Sequence, residues 1–248
     1  MYLNDVHIIY YIIFAILGII VGQLTDWIIK RTPDEEKIFS KDLIKEYKKK
    51  FRPNYILIGL TVLIYIIFLS LFGISGTILG NLRLILVITI TPILLAMFVI
   101  DYKYQIIPNR LNLSLFEIGL IYTFILGCVN VSMAFDKMLG LVIGGGIFLL
   151  ITVIGGLIAG KEAMGFGDVK LMCGLGLIFG AIGIIIVSVL SFLIGAIISI
   201  ILLATKIKKK DEYIPFGPFI VISSFITLIV PMNILINILL EVFTLGMF

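Results

Sequence analysis

The sequence predicts an all-α protein that crosses a membrane about eight times, with both termini on the extracytoplasmic side. Three observations predict it. Hydrophobic types fill 61% of the 248 positions and charged types 14%, where globular domains run at about 45–50% and about 25%. The apolar residues are gathered into long runs. Lys and Arg fall almost entirely between alternate runs. A soluble domain of this size cannot hide so much apolar surface, because its core is limited by surface-to-volume scaling. The composition therefore excludes an ordinary cytosolic enzyme, a disordered chain and a disulfide-stapled mini-domain.

The apolar runs place spans near 8–29, 55–75, 84–100, 113–133, 138–160, 169–181, 183–205 and 216–239, against roughly 20 residues needed per helical span. The first follows MYLNDVH. With no basic stretch before it and no small-residue cleavage site, it reads as an uncleaved span. The sixth is short, and its boundary with the seventh is set only by length. Of 19 Lys and Arg residues, all but Arg83 and Lys137 fall in the loops after spans one, three, five and seven. The positive-inside rule puts those loops in the cytoplasm, and an odd number of spans would scatter the pattern. The net charge of +4 is thus a matter of topology, and no nucleic-acid partner is expected.

Residues 1–54 form a first division, one span plus a basic loop; residues 55–248 form the second. Within 34–54, Ile38, Leu43, Ile44, Tyr47 and Phe51 recur at roughly helical spacing. That pattern suits an amphipathic helix on anionic headgroups, and equally a solvated loop that only sets topology. Gly140 with Gly144, Gly156 with Gly160, and Gly176 with Gly180 have the small-xxx-small spacing that lets helices approach closely. Cys128 and Cys173 are the only cysteines and His7 the only histidine. They are too few and too scattered for a metal cage, a disulfide framework or a histidine-based triad.

Acidic residues at membrane depth are costly and therefore informative. Four qualify: Asp26, Asp101, Glu117 and Asp168. Asp101 ends the third span, before a turn signalled by Pro108 and Asn109. Asp168 follows Gly165, Phe166 and Gly167. Glycine opens backbone angles closed to other residues and lets another chain come close, so this unit reads as a distorted helix start exposing a carboxylate. Both aspartates belong to cytoplasmic loop ends on spans three and six. Brought together in a poorly hydrated site, two carboxyl groups share one proton and titrate as a pair. The charged member activates water; the protonated member polarises a scissile carbonyl and later protonates the leaving amine. Lys170, close behind Asp168, would favour an ionised carboxylate. Intramembrane acids and broken helices also build ion sites in transporters and channels. A non-catalytic scaffold of a secretion or competence machine would need no carboxylate pair.

Three motifs give the chain a resemblance to a known family. Asp101 through Asn109 (DYKYQIIPN), Lys161 through Leu171 (KEAMGFGDVKL) and Ile214 through Phe219 (IPFGPF) are similar, in order and spacing, to the signatures of the type IV prepilin leader peptidases, Gly-x-Gly-Asp intramembrane aspartic proteases. The clear likeness covers roughly 95–240. Gly22 through Pro33 (GQLTDWIIKRTP) is similar to a further family segment, with Asp26 where the family usually has asparagine.

The resemblance implies a bacterial inner-membrane aspartic endopeptidase facing the cytoplasm. It implies Asp101 and Asp168 as catalytic residues, with Gly165, Gly167, Lys170, Pro108, Asn109, Pro215 and Gly217 around them. It also implies prepilin or pseudopilin precursors and membrane lipid as partners, the precursor being cut after a glycine to release a short basic leader. Many members bind zinc through two Cys-x-x-Cys pairs in the first cytoplasmic loop; that loop here has no cysteine, so zinc is not expected. Proteolysis needs no cofactor. S-adenosylmethionine enters only if the chain keeps the second activity of such members, methylation of the new N-terminus.

Overall fold

A computed structural model describes residues 2–3, 6–32, 53–160, 164–206 and 214–244. Apart from Pro53 and Asn54, the amphipathic helix expected in 34–54 lies outside these residues. The described chain is helical except for a two-residue antiparallel pair, β1 (Tyr2–Leu3) with β2 (Val6–His7). The helices are α1 (Ile8–Arg31), α2 (Tyr55–Phe72), α3 (Ile78–Tyr104), α4 (Asn109–Val129), α5 (Val131–Ala159), α6 (Phe166–Ala204), α7 (Gly217–Ile229) and α8 (Met232–Thr244). The first six are long and apolar enough to cross a membrane; α7 and α8 are shorter apolar helices. The chain is an all-α, multi-pass membrane protein.

It divides into two compact units, Met1–Ile100 and Asp101–Phe248. In the first, α1 and α2 pack through glycine. A Cβ on Gly18 would lie 2.8 Å from the Val62 Cα, and one on Gly22 would lie 2.8 Å from the Ile58 Cα. Asp26 is buried here. It takes Lys30 Nζ at 2.5 Å and Asn54 Nδ2 at 3.1 Å. Asn54 in turn caps α2 by accepting the Leu57 N–H, satisfying one of the donors a helix start leaves open. Asp26 is thus a tie between two helices. Tyr65 donates its hydroxyl proton to the Ile88 carbonyl at 2.9 Å, which joins α2 to α3.

In the second unit the core is the packing of α5 and α4 against α6. Gly180 breaks α6, with φ 77° and ψ −176°. A Cβ on Gly144 would lie 2.7 Å from both the Met172 carbonyl oxygen and Ile184 Cγ1. On an unbroken helix those two positions would stand about 18 Å apart, so the two arms of α6 fold back on each other at Gly180. Asp136 of α5 reaches this break and accepts the Ala181 N–H at 3.2 Å, acting as a helix cap supplied from a neighbour. Gly140, on the same helix, faces the backbone of Gly176 and Gly180 directly, as the small-xxx-small spacing predicts.

Several expected boundaries move. Spans six and seven are the two arms of α6, and their division is at Gly180. The single span expected over 216–239 is two helices, because Pro231 cannot continue α7 and the chain turns at Val230. Gly160 does not pack: it is the left-handed C-cap of α5, with φ 65° and open space around it, a conformation glycine adopts at no steric cost. Asp101 does not end the third helix but lies inside α3, one turn before Tyr104.

Candidate active site

The second unit begins with the last turn of α3. Gln105 ends that helix in the left-handed region, φ 57°, with its N–H on the Asp101 carbonyl at 2.9 Å. The chain then runs extended to Pro108, whose φ of −64° and ψ of 131° set up α4. The Pro108 carbonyl accepts the Leu111 and Asn112 N–H groups. Pro108 therefore turns the chain as its residue type predicts, because a proline suits the position just ahead of a helix, where no N–H partner is needed.

Asp168 lies in the first turn of α6. Gly165 precedes that helix in an extended conformation, φ −70° and ψ 142°, and the Asp168 N–H donates to the Gly165 carbonyl at 3.1 Å. Neither Gly165 nor Gly167 has positive φ. The distorted start expected of Gly-x-Gly-Asp is therefore an ordinary helix N-terminus, and close approach is what the second glycine supplies. A Cβ on Gly167 would lie 3.0 Å from the Ile107 Cβ. The Gly167 carbonyl also accepts Asn112 Nδ2 at 3.2 Å, which fastens the start of α6 to α4.

These segments enclose a cavity of about 240 Å³ lined by Asp101, Gln105, Ile106, Ile107, Gly165, Gly167 and Asp168. Both aspartates are 3% exposed, and Asp168 feels the charge of Asp101. The convergence of two carboxyls separated by two intervening helices is the relationship on which the dyad chemistry depends. Asp101 Oδ2 accepts the backbone N–H of Gly217 at 2.9 Å. Asp168 Oδ1 is buried with no hydrogen-bond partner among the described residues.

Gly217 opens α7 and must be glycine: a Cβ there would lie 2.6 Å from Asp101 Oδ2 and 3.1 Å from Ile107 Cδ1. Its position is held by the aromatic side chain beside it. Phe216 packs against Phe148, Phe192 and Phe219 with ring centroids 5.9, 5.1 and 5.8 Å away, within the favourable range for aromatic pairs. Pro215 is buried next to it. The IPFGPF segment is thus an anchored loop whose backbone reaches the first carboxylate.

One expectation changes. Lys170 is not paired with a carboxylate in the described residues; its Nζ donates to Asn109 Oδ1 at 2.7 Å, bridging the starts of α4 and α6. Glu117 is exposed on α4 and lines none of the cavities described here. Asn112, which sequence reasoning passed over, is 4% exposed. A lone asparagine one turn beyond Asn109 in an apolar stretch was the signal for it. Among the described residues no group of three or more His, Cys, Asp or Glu side chains is gathered as a metal site.

Residues 85–200 match the Type IV leader peptidase family. The chain is 33% identical over 140 residues to the prepilin leader peptidase/N-methyltransferase of Aeromonas hydrophila, covering 56% of this chain and 47% of the relative. It is 35% identical over 136 residues to the protein of the same name in Pseudomonas aeruginosa, covering 55% and 46%. For the namesake in Legionella pneumophila the identity is 34% over 136 residues, covering 55% and 46%. The chain spans about half the length of the curated relatives it matches. No solved structure matches it.

Proposed function

We propose, from the match of residues 85–200 to the Type IV leader peptidase family, that the chain is an aspartic endopeptidase that removes the leader of a prepilin or pilin-like precursor at the cytoplasmic face of the inner membrane. The observation that carries this reading is the shared cavity: Asp101 and Asp168, both buried, line one space and are the only acids among the described residues of its wall. Relatives named as prepilin leader peptidases support the substrate.

In the proposed reaction the pair holds one proton. Asp101, whose Oδ2 already accepts the Gly217 N–H, takes a proton from the attacking water. Asp168, whose Oδ1 has no partner among the described residues, donates the shared proton to the scissile carbonyl. The tetrahedral intermediate collapses as a proton passes to the leaving amine. Gly217 and Gly167 keep the cavity narrow, and the Lys170–Asn109 and Asn112–Gly167 bonds hold the two helix starts in register. Zinc held by four cysteines does not fit a chain whose two cysteines, Cys128 and Cys173, are apart in α4 and α6. Methylation from S-adenosylmethionine, named in the relatives, is not part of this proposal, and no step is routed through it.

The test is co-expression with a prepilin and measurement of its size. Asp101→Asn and Asp168→Asn should each abolish processing while the protein accumulates in the membrane. Normal cleavage by either single variant would overturn the dyad.

A further inference from the structure

Beside the carboxylate cavity lies a second one, of about 450 Å³, lined by Asn109, Asn112, Leu113, Phe116, Lys170 and Cys173. Its size is within the roughly 300–1,000 Å³ of ligand pockets. The two cavities meet at one hydrogen bond: Asn112 lines the larger, Gly167 lines the smaller, and Asn112 Nδ2 donates to the Gly167 carbonyl. From there the larger cavity follows the faces of α4 and α6. Asn109, Asn112, Leu113 and Phe116 succeed one another at helical spacing on one wall, and Lys170 and Cys173 on the other. It is polar beside Asp168 and apolar farther along both helices.

One group in the wall of this cavity has no partner among the described residues. Asn112 Oδ1 is buried and accepts no hydrogen bond among the described residues, although its own amide nitrogen is used. An unsatisfied buried carbonyl is destabilising, so it favours an occupant bearing an N–H donor. Past its first turn an apolar helix does not bring one, because its N–H groups are satisfied internally. An extended apolar peptide does.

We propose that this cavity is a substrate groove. It seats the apolar segment on the membrane-embedded side of the scissile bond in extended form, and Asn112 Oδ1 accepts one of that segment's backbone N–H groups. The inference rests on the peptidase reading above. It adds which part of the precursor is gripped, in which conformation, and by which residue. Asn112 acts here as a binding and positioning residue: its nitrogen fixes the Gly167 carbonyl beside Asp168 while its oxygen sets the peptide's register.

Cys173 supplies the test, since it is a native thiol in the groove wall. In the full-length chain carrying Cys128→Ser and Asp168→Asn, Cys173 is the sole thiol and a bound precursor is not consumed. A prepilin bearing one cysteine at successive positions on either side of the cleavage point is mixed with it under a mild oxidant. Disulfide-linked product is then read on a gel. The expected result is trapping at a few positions just beyond the scissile bond, strong at every second residue as an extended chain requires, and none on the leader side. Trapping on the leader side, a three-to-four-residue helical period, or no trapping with a precursor the wild-type chain cleaves would overturn the groove. The last of these outcomes would leave a lipid chain as its occupant. A wild-type chain that cleaves no prepilin sinks the peptidase reading itself, a failure separable from that of the groove.

Discussion

The backbone N–H of Gly217 donates to the carboxylate of Asp101 at 2.9 Å, across 116 residues of sequence. The bond explains why a motif far from either aspartate belongs to the same site. It also sets a steric condition, because a Cβ at this position would stand 2.6 Å from the oxygen the N–H serves. Gly217→Ala must either push Asp101 aside or withdraw the loop. A hydrogen bond to a charged group is worth about 1.5–3 kcal/mol, so we expect precursor cleavage to fall by about 10- to 100-fold. Initial rates on a purified prepilin, with membrane accumulation as the control, measure it.

A pair that works by holding one proton has two ways to fail. At low pH both carboxyls are protonated and no base remains; at high pH both are ionised and no acid remains. The rate of cleavage should therefore trace a bell against pH, and the two limbs belong to the pair, not to one residue. Assays across pH with detergent-solubilised protein read this out. A profile with a single limb would count against a shared proton.

The crossing of α5 and α6 has no room for a methyl group. Gly140→Ala would drive a Cβ into the Gly176 carbonyl and the Gly180 backbone. Overpacking of this kind costs about 1–3 kcal/mol. A lowered thermal midpoint in detergent and reduced accumulation are the expected outcomes. Gly146, on the same helix, has open space where its Cβ would go, so Gly146→Ala should leave both unchanged.

Asp136 caps the second arm of α6 from outside that helix. Asp136→Ala should lower stability by about 0.5–2 kcal/mol, the usual value of such a cap. Asp136→Asn keeps the acceptor and should recover most of it. Denaturation monitored by circular dichroism distinguishes the two. The rate per folded molecule should stay near that of the parent, because Asp136 lines neither the carboxylate cavity nor the groove beside it.

The features legible in the sequence are those that depend on local chemistry. Apolar runs became helices, Pro108 marked a helix boundary, and the acids Asp101 and Asp168 stood out because charge is costly at membrane depth. Features that depend on a distant partner were hidden. Length alone divided the apolar run of α6 at 181–183, but the fold-back itself, at Gly180, has no polar residue to announce it. Its geometry is settled jointly by the glycine's left-handed φ and by Asp136 from another helix. Pro231 did carry a local signal, but the hydropathy on both sides masked it. Lys170 looked like a partner for Asp168 by proximity in sequence, whereas the helix geometry turns it toward Asn109. The Phe216 cluster, which steadies the Gly217 loop, draws its rings from three separate helices and leaves no trace in any one of them.

The arm of α6 that carries Asp168 runs only from Phe166 to the break at Gly180. It reaches roughly 21 Å at 1.5 Å per residue, against roughly 30 Å of hydrocarbon in a bilayer. Thinning is one way for lipid to match so short a rod, and where lipid meets this arm it draws headgroups toward the end that carries Asp168. Hydration would then follow the dimpled leaflet, and a carboxylate sunk below the surface would be wetted without a dedicated channel.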